Sequence, residues 1–317
     1  MKKRPLGRTG IAVSEIGLGG VCFKSREGAA DAARVIHRAI ELGVNLIDTA
    51  PGYGDSEEII GESLKGLNRG DLVLSSKYYP YGKDDRLNLS GESLARSTAA
   101  SLKRLRTGHL DVLHLHWVHG PEDAEKIINS DLIRTAMRLK SLGSIRHIAI
   151  SEASELDGEH KMLDIAVTSG VFEAVMTTYN VLLQTAERNV LPLAARHGVG
   201  VLVMMPLNQP MGGPGLATAE GARANVAALA REKLLSDDPE FSGPDPLGFL
   251  RAGTDLSLPQ AAIRFALDRP EVSSVLVGTA SVSHMEENLK TSGHPPLSPA
   301  VHARAKELFG GITRQVK

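Results

Sequence analysis

The sequence predicts an α/β protein built as a closed (β/α)8 barrel, the TIM-barrel architecture, and three observations predict it. Short apolar runs recur eight times, each followed by a turn and a segment of helical period. Runs such as LVLSSK and GVLVMMP are continuous rather than alternating, as expected of parallel strands covered by helices. The chain has 317 residues, and eight βα units need about 250, which leaves room for decorations. The count of eight favours this closed barrel over an open doubly wound sheet, and residues 1–317 read as a single barrel domain.

The expected strands, in order, are Ile16–Gly19, Asn45–Asp48, Leu72–Lys77, Val112–Trp117, His147–Ser151, Ala174–Tyr179, Gly200–Met205 and Ser274–Val277. Between them lie amphipathic stretches such as Ala30–Leu42, with apolar Ala33, Ile36, Ala39 and Ile40 on one face, and Glu92–Leu105. A further helix starts at Ser56. Ahead of the first strand, LGRTGIAVSEIGLGG sets Gly-Arg-Thr-Gly between two β-prone runs, so an N-terminal β-hairpin is placed to plug the barrel floor. Residues 207–257 form a long loop after strand seven, with a helical stretch around Gly221–Leu235; its length suits a lid or binding loop. Capping boxes are expected at Ser257 with Gln260 and at Ser283 with Glu286.

Composition narrows the function. The chain is 42% hydrophobic and 23% charged, with a formal net charge of −1, which gives no electrostatic footprint for nucleic acid or an acidic membrane. No window approaches the roughly 18 apolar residues of a membrane span. The N-terminus MKKRPLGRTG has no apolar run behind its positive start, so it does not read as a secretory signal. A cytoplasmic protein is the default. The lone Cys22 cannot form an internal disulfide and reads as a small buried hydrophobe more readily than as a reactive thiol. Oligomeric state is not legible.

Polar residues break the apolar strands at one end, always the C-terminal end. Strand two stops at Asp48, strand three at Lys77 and strand four at His116. In a parallel barrel these ends share the face that carries active sites. Tyr53 hangs over it from NLIDTAPGYGDSEEIIGESL, in the turn after strand two. A buried Lys77 calls for a carboxylate partner, and Asp48 is the natural one. An ammonium beside Tyr53 should lower a phenol pKa that is ordinarily near 10. His116 can hydrogen-bond and orient a substrate oxygen. Such a constellation moves a proton to or from a carbonyl or hydroxyl oxygen, but the hydride must come from a cofactor.

Rival chemistries start from the same residues. His114 and His116 form His-x-His on one strand face, a pattern of metal-dependent hydrolases, yet strands five to eight end in Ser151, Tyr179, Met205 and Val277, which supply no further His or Asp ligand. His114 reads better as a barrel-interior histidine. Lys77 alone would suit a Schiff base, but Asp48 and Tyr53 suit a relay better. Trp117 is placed either in the core or as a substrate-facing wall. His119, Tyr78, Tyr79 and Tyr81 read as packing near the barrel mouth.

Over nearly its whole length the chain resembles the aldo-keto reductases. The segments that carry this are LGRTGIAVSEIGLGG, DTAPGYGDSEEIIGESL, LSSK, DVLHLHW, MMPL and VGTASVSHMEEN, in order and in register. The resemblance implies NAD(P)-dependent interconversion of a carbonyl (aldehyde, ketone or aldose) and an alcohol or lactone. Tyr53 would be the general acid/base, Lys77 and Asp48 its relay, and His116 the residue that positions the carbonyl. Likeness to the aldose dehydrogenase branch points to a sugar or small aldehyde. The alternative it carries is a cofactor-binding regulatory protein of the same fold, with weak or no turnover.

The same resemblance places the cofactor residues, with departures. Ser151 and Glu152 stand where a Ser-Asn pair usually holds the carboxamide; Met176 replaces a glutamine and Met204 an aromatic ring, ahead of Pro206 and Leu207. Gly278 and His284 stand where Lys and Arg often pair the 2′-phosphate of NADP, with Thr279 retained. Glu287 and Asn288 match adenine-contact positions. Without a bidentate Arg fork, weak discrimination between NADP and NAD is expected.

Overall fold

The computed structural model describes residues 1–208, 215–235, 238, 241 and 243–314. The barrel wall consists of β3 (Ile16–Gly19), β4 (Leu46–Asp48), β5 (Val73–Tyr78), β6 (Leu110–Val118), β7 (Ile145–Glu152), β8 (Ala174–Thr178), β9 (Gly200–Met204) and β10 (Val272–Val277). All pairs are parallel, and β10 closes on β3, so the sheet has no edge. The expected strands are all present. The main shifts are at β6 and β7, which each begin two residues earlier, and at β10, which also begins two residues earlier.

Period two decides which side chains fill the barrel. Leu46, Val73, Val112, Ala149, Ala174, Met176, Leu202 and Leu276 form one interior cluster. A larger cluster lies outside, where Ile47, Leu74, Leu113, Ile148 and Val175 meet the helices. The interior parity continues up the same strands to Asp48, Lys77, His114, His116, Ser151 and Met204. The continuous apolar reading of each strand is therefore two faces buried in two different cores.

The floor is closed by an antiparallel hairpin of β1 (Lys3–Pro5) and β2 (Ala12–Ser14). Leu6, Ile11 and Val13 from this hairpin join the interior cluster. At Gly7, φ is +51°, and a Cβ there would lie 2.2 Å from the backbone nitrogen of Gly200, so only glycine lets the hairpin seat this closely. Arg8 fastens it by donating to the carbonyls of His197 (2.7 Å) and Phe172 (3.0 Å).

Helices cover the outside. In α1 (Ala29–Glu41) the buried stripe is Ala32, Val35, Ile36 and Ala39, while Ala33 and Ile40 are only partly covered; the helix is rotated from the face expected for it. Helix α2 (Ser56–Ser63) starts at the expected residue, and α3 (Gly91–Arg104) one residue early; α4 (Pro121–Ile128), α5 (Asp131–Ser141), α6 (Lys161–Thr168) and α7 (Val190–His197) follow. In the long segment after β9, the expected helix is α8 (Ala219–Arg231), while residues 209–214 of NQPMGGPGL lie outside the described residues. Residues 236, 237, 239, 240 and 242 of the same segment also lie outside them.

Two caps differ in their outcome. At the start of α9 (Leu258–Leu267), the Ser257 N–H donates to Gln260 Oε1 at 2.9 Å, as a capping box requires. The box expected at Ser283 is not formed. Helix α10 (Val282–Leu289) begins earlier, with Ser281 as N-cap accepting from the His284 N–H, because Thr279 Oγ1 accepts from the Ser281 N–H and fixes the entering turn.

Candidate active site

Asp48 ends β4 beside Gly19 of β3 and Ser75 of β5, and Lys77 lies beside His114 of β6. Both Asp48 and Lys77 are buried. Lys77 Nζ donates to Asp48 Oδ2 and, at 2.8 Å, to the Thr49 carbonyl; Ser75 Oγ donates to Asp48 Oδ1 at 2.8 Å. A buried ion pair this well supplied with hydrogen bonds survives its desolvation cost, which for an unpaired ammonium would be several kcal/mol. Burial alone would lower the Lys77 pKa, but Asp48 and the approach of Tyr53 win, and it is raised. Lys77 stays charged.

Tyr53 reaches the same point from the turn after β4. Its N–H donates to the Ala50 carbonyl at 3.0 Å, and its carbonyl accepts from Ser56 at the head of α2. Gly54 follows at φ +58°, where a Cβ would lie 2.3 Å from the Lys24 carbonyl, so the loop after β3 presses directly on this turn. The Tyr53 ring centre lies 5.0 Å from Lys77 Nζ and 5.9 Å from the His116 ring, edge to face.

The expected pKa lowering of Tyr53 does not occur. Burial raises it, and the pull of Lys77 is partly cancelled by Asp48, so the phenol is held protonated. His116 is pushed down to about 3 by burial and by the Lys77 charge, so it is a neutral imidazole at physiological pH. The site thus presents a neutral acid and a neutral hydrogen-bonding ring over a buried cation. His114 is fully buried below them and held neutral by burial and Lys77. Among the described residues no group of three His, Cys, Asp or Glu side chains is placed to hold a metal ion.

Strand β6 does not run regularly to its end. Its register with β7 shifts between Leu115 and Val118, and Trp117 takes φ +58°, an uncommon conformation for a bulky residue. The Trp117 N–H donates to Ser151 Oγ at 2.8 Å, which leaves the hydroxyl proton of Ser151 for another acceptor.

These groups open onto a cleft of about 720 Å³. Asp48, Tyr53, His116, Trp117, Ser151, Met176, Met204, Pro206, Leu207, Gly278 and Thr279 all line it, with Lys77 buried beneath Tyr53 and Asp48. Its size and mostly apolar wall suit a small-molecule site. A groove of about 800 Å³ at the opposite barrel face is lined by Arg4, Arg264 and Asp268 among others and carries none of the chemistry above; Arg264 pairs there with Asp268, and Arg4 pairs with Glu15 outside the lining.

Four expected cofactor residues lie elsewhere. Glu152 points away from the cleft because β7 parity sends it to the face opposite Ser151. Its carboxylate accepts from Thr177 Oγ1 and the Thr178 N–H, each at 2.8 Å, and bonds His160 Nδ1 at 2.7 Å, whose Nε2 meets Thr185 Oγ1 at 2.7 Å. His284 is exposed on α10 and does not line the cleft. Glu287 and Asn288 sit further along that helix, with the Glu287 carbonyl accepting from Gln260 Nε2.

The wall that sequence reasoning missed is the segment after β3. Val21, Cys22, Phe23, Lys24 and Ser25, with Asp31 of α1, line the cleft facing Gly278–Ala280. The signal was available: this is a βα loop at the C-terminal face like the others, and LGGVCFKS carried no charged pattern to mark it. Cys22 is exposed there rather than buried, and a Cβ on Gly278 would lie 3.3 Å from its Sγ. Near the mouth, Tyr81 stacks on His119 (3.9 Å between ring centres) and donates to Asp123.

Comparison with known proteins agrees with this fold. The profile of the aldo/keto reductase family matches residues 15–309. The chain is 32% identical to the NADH-specific methylglyoxal reductase of Escherichia coli (strain K12), over 91% of this chain and 93% of that protein. It is 31% identical to the L-galactose dehydrogenase of Arabidopsis thaliana, over 90% and 86%. Among solved structures, the holo form of aldo-keto reductase AKR11C1 from Bacillus halodurans superposes with a TM-score of 0.73 at 25% identity, covering 99% of this chain and 98% of that one. The chain belongs to the aldo/keto reductase family. It is an oxidoreductase of that family.

Proposed function

We propose that this protein interconverts a small aldehyde, ketone or aldose with its alcohol or lactone, using NADH or NADPH as the hydride partner. One observation carries the reading: Asp48, Lys77, Tyr53 and His116, far apart in sequence, meet at the side of a cleft large enough for part of a dinucleotide. In the reducing direction the substrate oxygen lies between the Tyr53 hydroxyl and the His116 ring. Tyr53 donates its proton to that oxygen, while neutral His116 orients it by a hydrogen bond. Lys77, kept charged by Asp48, stabilises the phenolate left behind; a nicotinamide held beside Ser151, Met176 and Met204 would supply the hydride.

The cleft fits such a cofactor in part. Ser151 offers a hydroxyl toward a carboxamide, Met176 and Met204 give an apolar, polarisable floor, and Gly278 keeps the opening between β10 and the Cys22 loop wide enough for a ligand to lie close to backbone. Lys24 is the only Lys or Arg on the lining among the described residues, and His284 is turned to solvent. Weak discrimination between NADP and NAD is the reading this lining supports, and the likeness to a relative named as NADH-specific favours use of NAD.

The test follows absorbance at 340 nm with a panel of aldehydes and aldoses and each of the four nucleotides. Turnover that disappears in Tyr53→Phe supports the reading. Turnover that persists there assigns the acid to another residue.

A further inference from the structure

The cleft gathers sulfur. The chain has eight methionines and one cysteine, and Cys22, Met176, Met204 and Met205 all line this one opening. Met176 is buried at its base, whereas Met204 and Met205 are partly exposed. Met205 is held in place by its backbone: φ is +53°, and its carbonyl accepts from Asn180 Nδ2 at 3.0 Å and from the Asn208 N–H at 3.0 Å. Its side chain is thereby kept on the cleft wall beside Met204, the last residue of β9.

We propose that Met204 and Met205 form an oxidant-sensitive modification site, at which hydrogen peroxide entering the cleft converts the thioethers to sulfoxides and weakens nucleotide binding. The second half rests on the nucleotide reading above. In the reaction a sulfur lone pair attacks one peroxide oxygen, an S–O bond forms, the O–O bond breaks, and water leaves. Sulfur loses two electrons and peroxide gains them. A thiol-dependent methionine sulfoxide reductase reverses the change. The consequence follows from polarity. An apolar thioether can cover a ring face, but a sulfoxide carries a strong dipole that demands hydrogen bonds, and the cleft floor of Met176, Pro206 and Leu207 supplies none from its side chains. A bound nucleotide covers the same sulfurs and should shield them.

The experiment uses the full-length Cys22→Ser protein, so that thiol oxidation does not contribute, with each sample compared with its own untreated control. It is titrated with hydrogen peroxide with and without saturating NAD, followed by peptide mass spectrometry and by NADH affinity. Sulfoxides at Met204 and Met205 are expected well ahead of those at the fully buried Met162 and Met285, and more slowly with NAD present. The NADH Kd is expected to rise at least about tenfold and to return after treatment with sulfoxide reductase. A Met204→Leu/Met205→Leu protein should show no further rise on peroxide treatment. The proposal is overturned if Met204 and Met205 stay reduced once the surface residue Met137, 49% exposed, is fully oxidised. It is also overturned if NADH affinity is unchanged by sulfoxide at both positions, or if the double Leu protein responds to peroxide as strongly as its parent. Absence of any NADH or NADPH binding before oxidation instead defeats the nucleotide reading and the affinity half of this proposal, and the order of sulfoxide formation then decides the modification site by itself.

Discussion

The amine of Lys77 stands 5.0 Å from the ring centre of Tyr53, with its charge tied from below to Asp48. This relationship does two things at once. It puts a fixed positive charge where a phenolate would form, and it does so without that charge being strong enough, against burial and Asp48, to ionise the phenol in advance.

Removing the phenol hydroxyl should therefore remove the proton donor and little else. Tyr53→Phe is expected to lower kcat by about 10³-fold, within the range found for general acids, while the NADH Kd changes less than about threefold. Steady-state kinetics and a fluorescence titration on the same preparation check this. A Kd that rises together with the fall in kcat would give Tyr53 a mainly structural role.

Splitting the buried pair should cost more than deleting it. Asp48→Asn leaves the Lys77 ammonium buried without its counter-charge, and roughly 3 kcal/mol of stability is expected to be lost. Adding Lys77→Met to that protein should recover part of the loss, because the uncompensated charge is gone. Urea denaturation of the two single and the double variants gives the comparison.

The pH profile follows from two shifts of known direction. With Tyr53 as the proposed acid, reduction needs it protonated, and because its pKa is raised the reductive rate should hold through neutral pH and fall only above pH 10. Oxidation of the alcohol needs the deprotonated form and should climb with pH over the same range. His116 titrates at about 3, so its neutral form is retained from pH 8 to pH 5 and no loss in that window arises from it. A reductive kcat that drops tenfold between pH 7 and 9 contradicts this assignment.

The buried Glu152–His160 pair should make stability depend on pH in one direction. The His160 pKa is raised, since the attraction and hydrogen bond of Glu152 overcome its burial. The stabilisation is thus fully present below the ordinary histidine value near 6.5 and is lost as pH rises through the folded value. The stability difference between the native protein and His160→Gln is expected to be larger at pH 6 than at pH 9, as read from urea midpoints.

Cys22 offers a direct probe of the cleft. It is the chain's one cysteine, it is exposed, and the partial desolvation that the surrounding cleft wall imposes raises the thiol pKa. Alkylation by iodoacetamide should be slow at pH 7, faster above pH 9, and slowed several-fold by saturating NAD. Labelling that ignores NAD would place the nucleotide elsewhere.

Much of this was legible in the sequence because parallel strands carry a fixed polarity. Once eight βα units are counted, Asp48, Lys77 and His116 must emerge on one face whatever the helices do. Where reading failed, packing decided between options that sequence leaves equal. Glu152 follows Ser151, and only the parity of β7, together with the demand of His160 and two β8 groups for an acceptor, turns it outward. Cys22 lay in a segment with no periodic pattern, so its exposure depended on how that loop meets Gly278.

By itself, then, the sequence determined the alternation of strands and helices, the end of the barrel at which its charges gather, and the residue types able to move a proton. Hydrophobic period and the cost of burying an unpaired ammonium are local properties that any reader of the chain can apply. Tertiary structure alone decided the protonation of Tyr53 and the walls of the cleft. Desolvation, opposing charges and the seating of one loop on another depend on distances between segments that the order of residues does not contain.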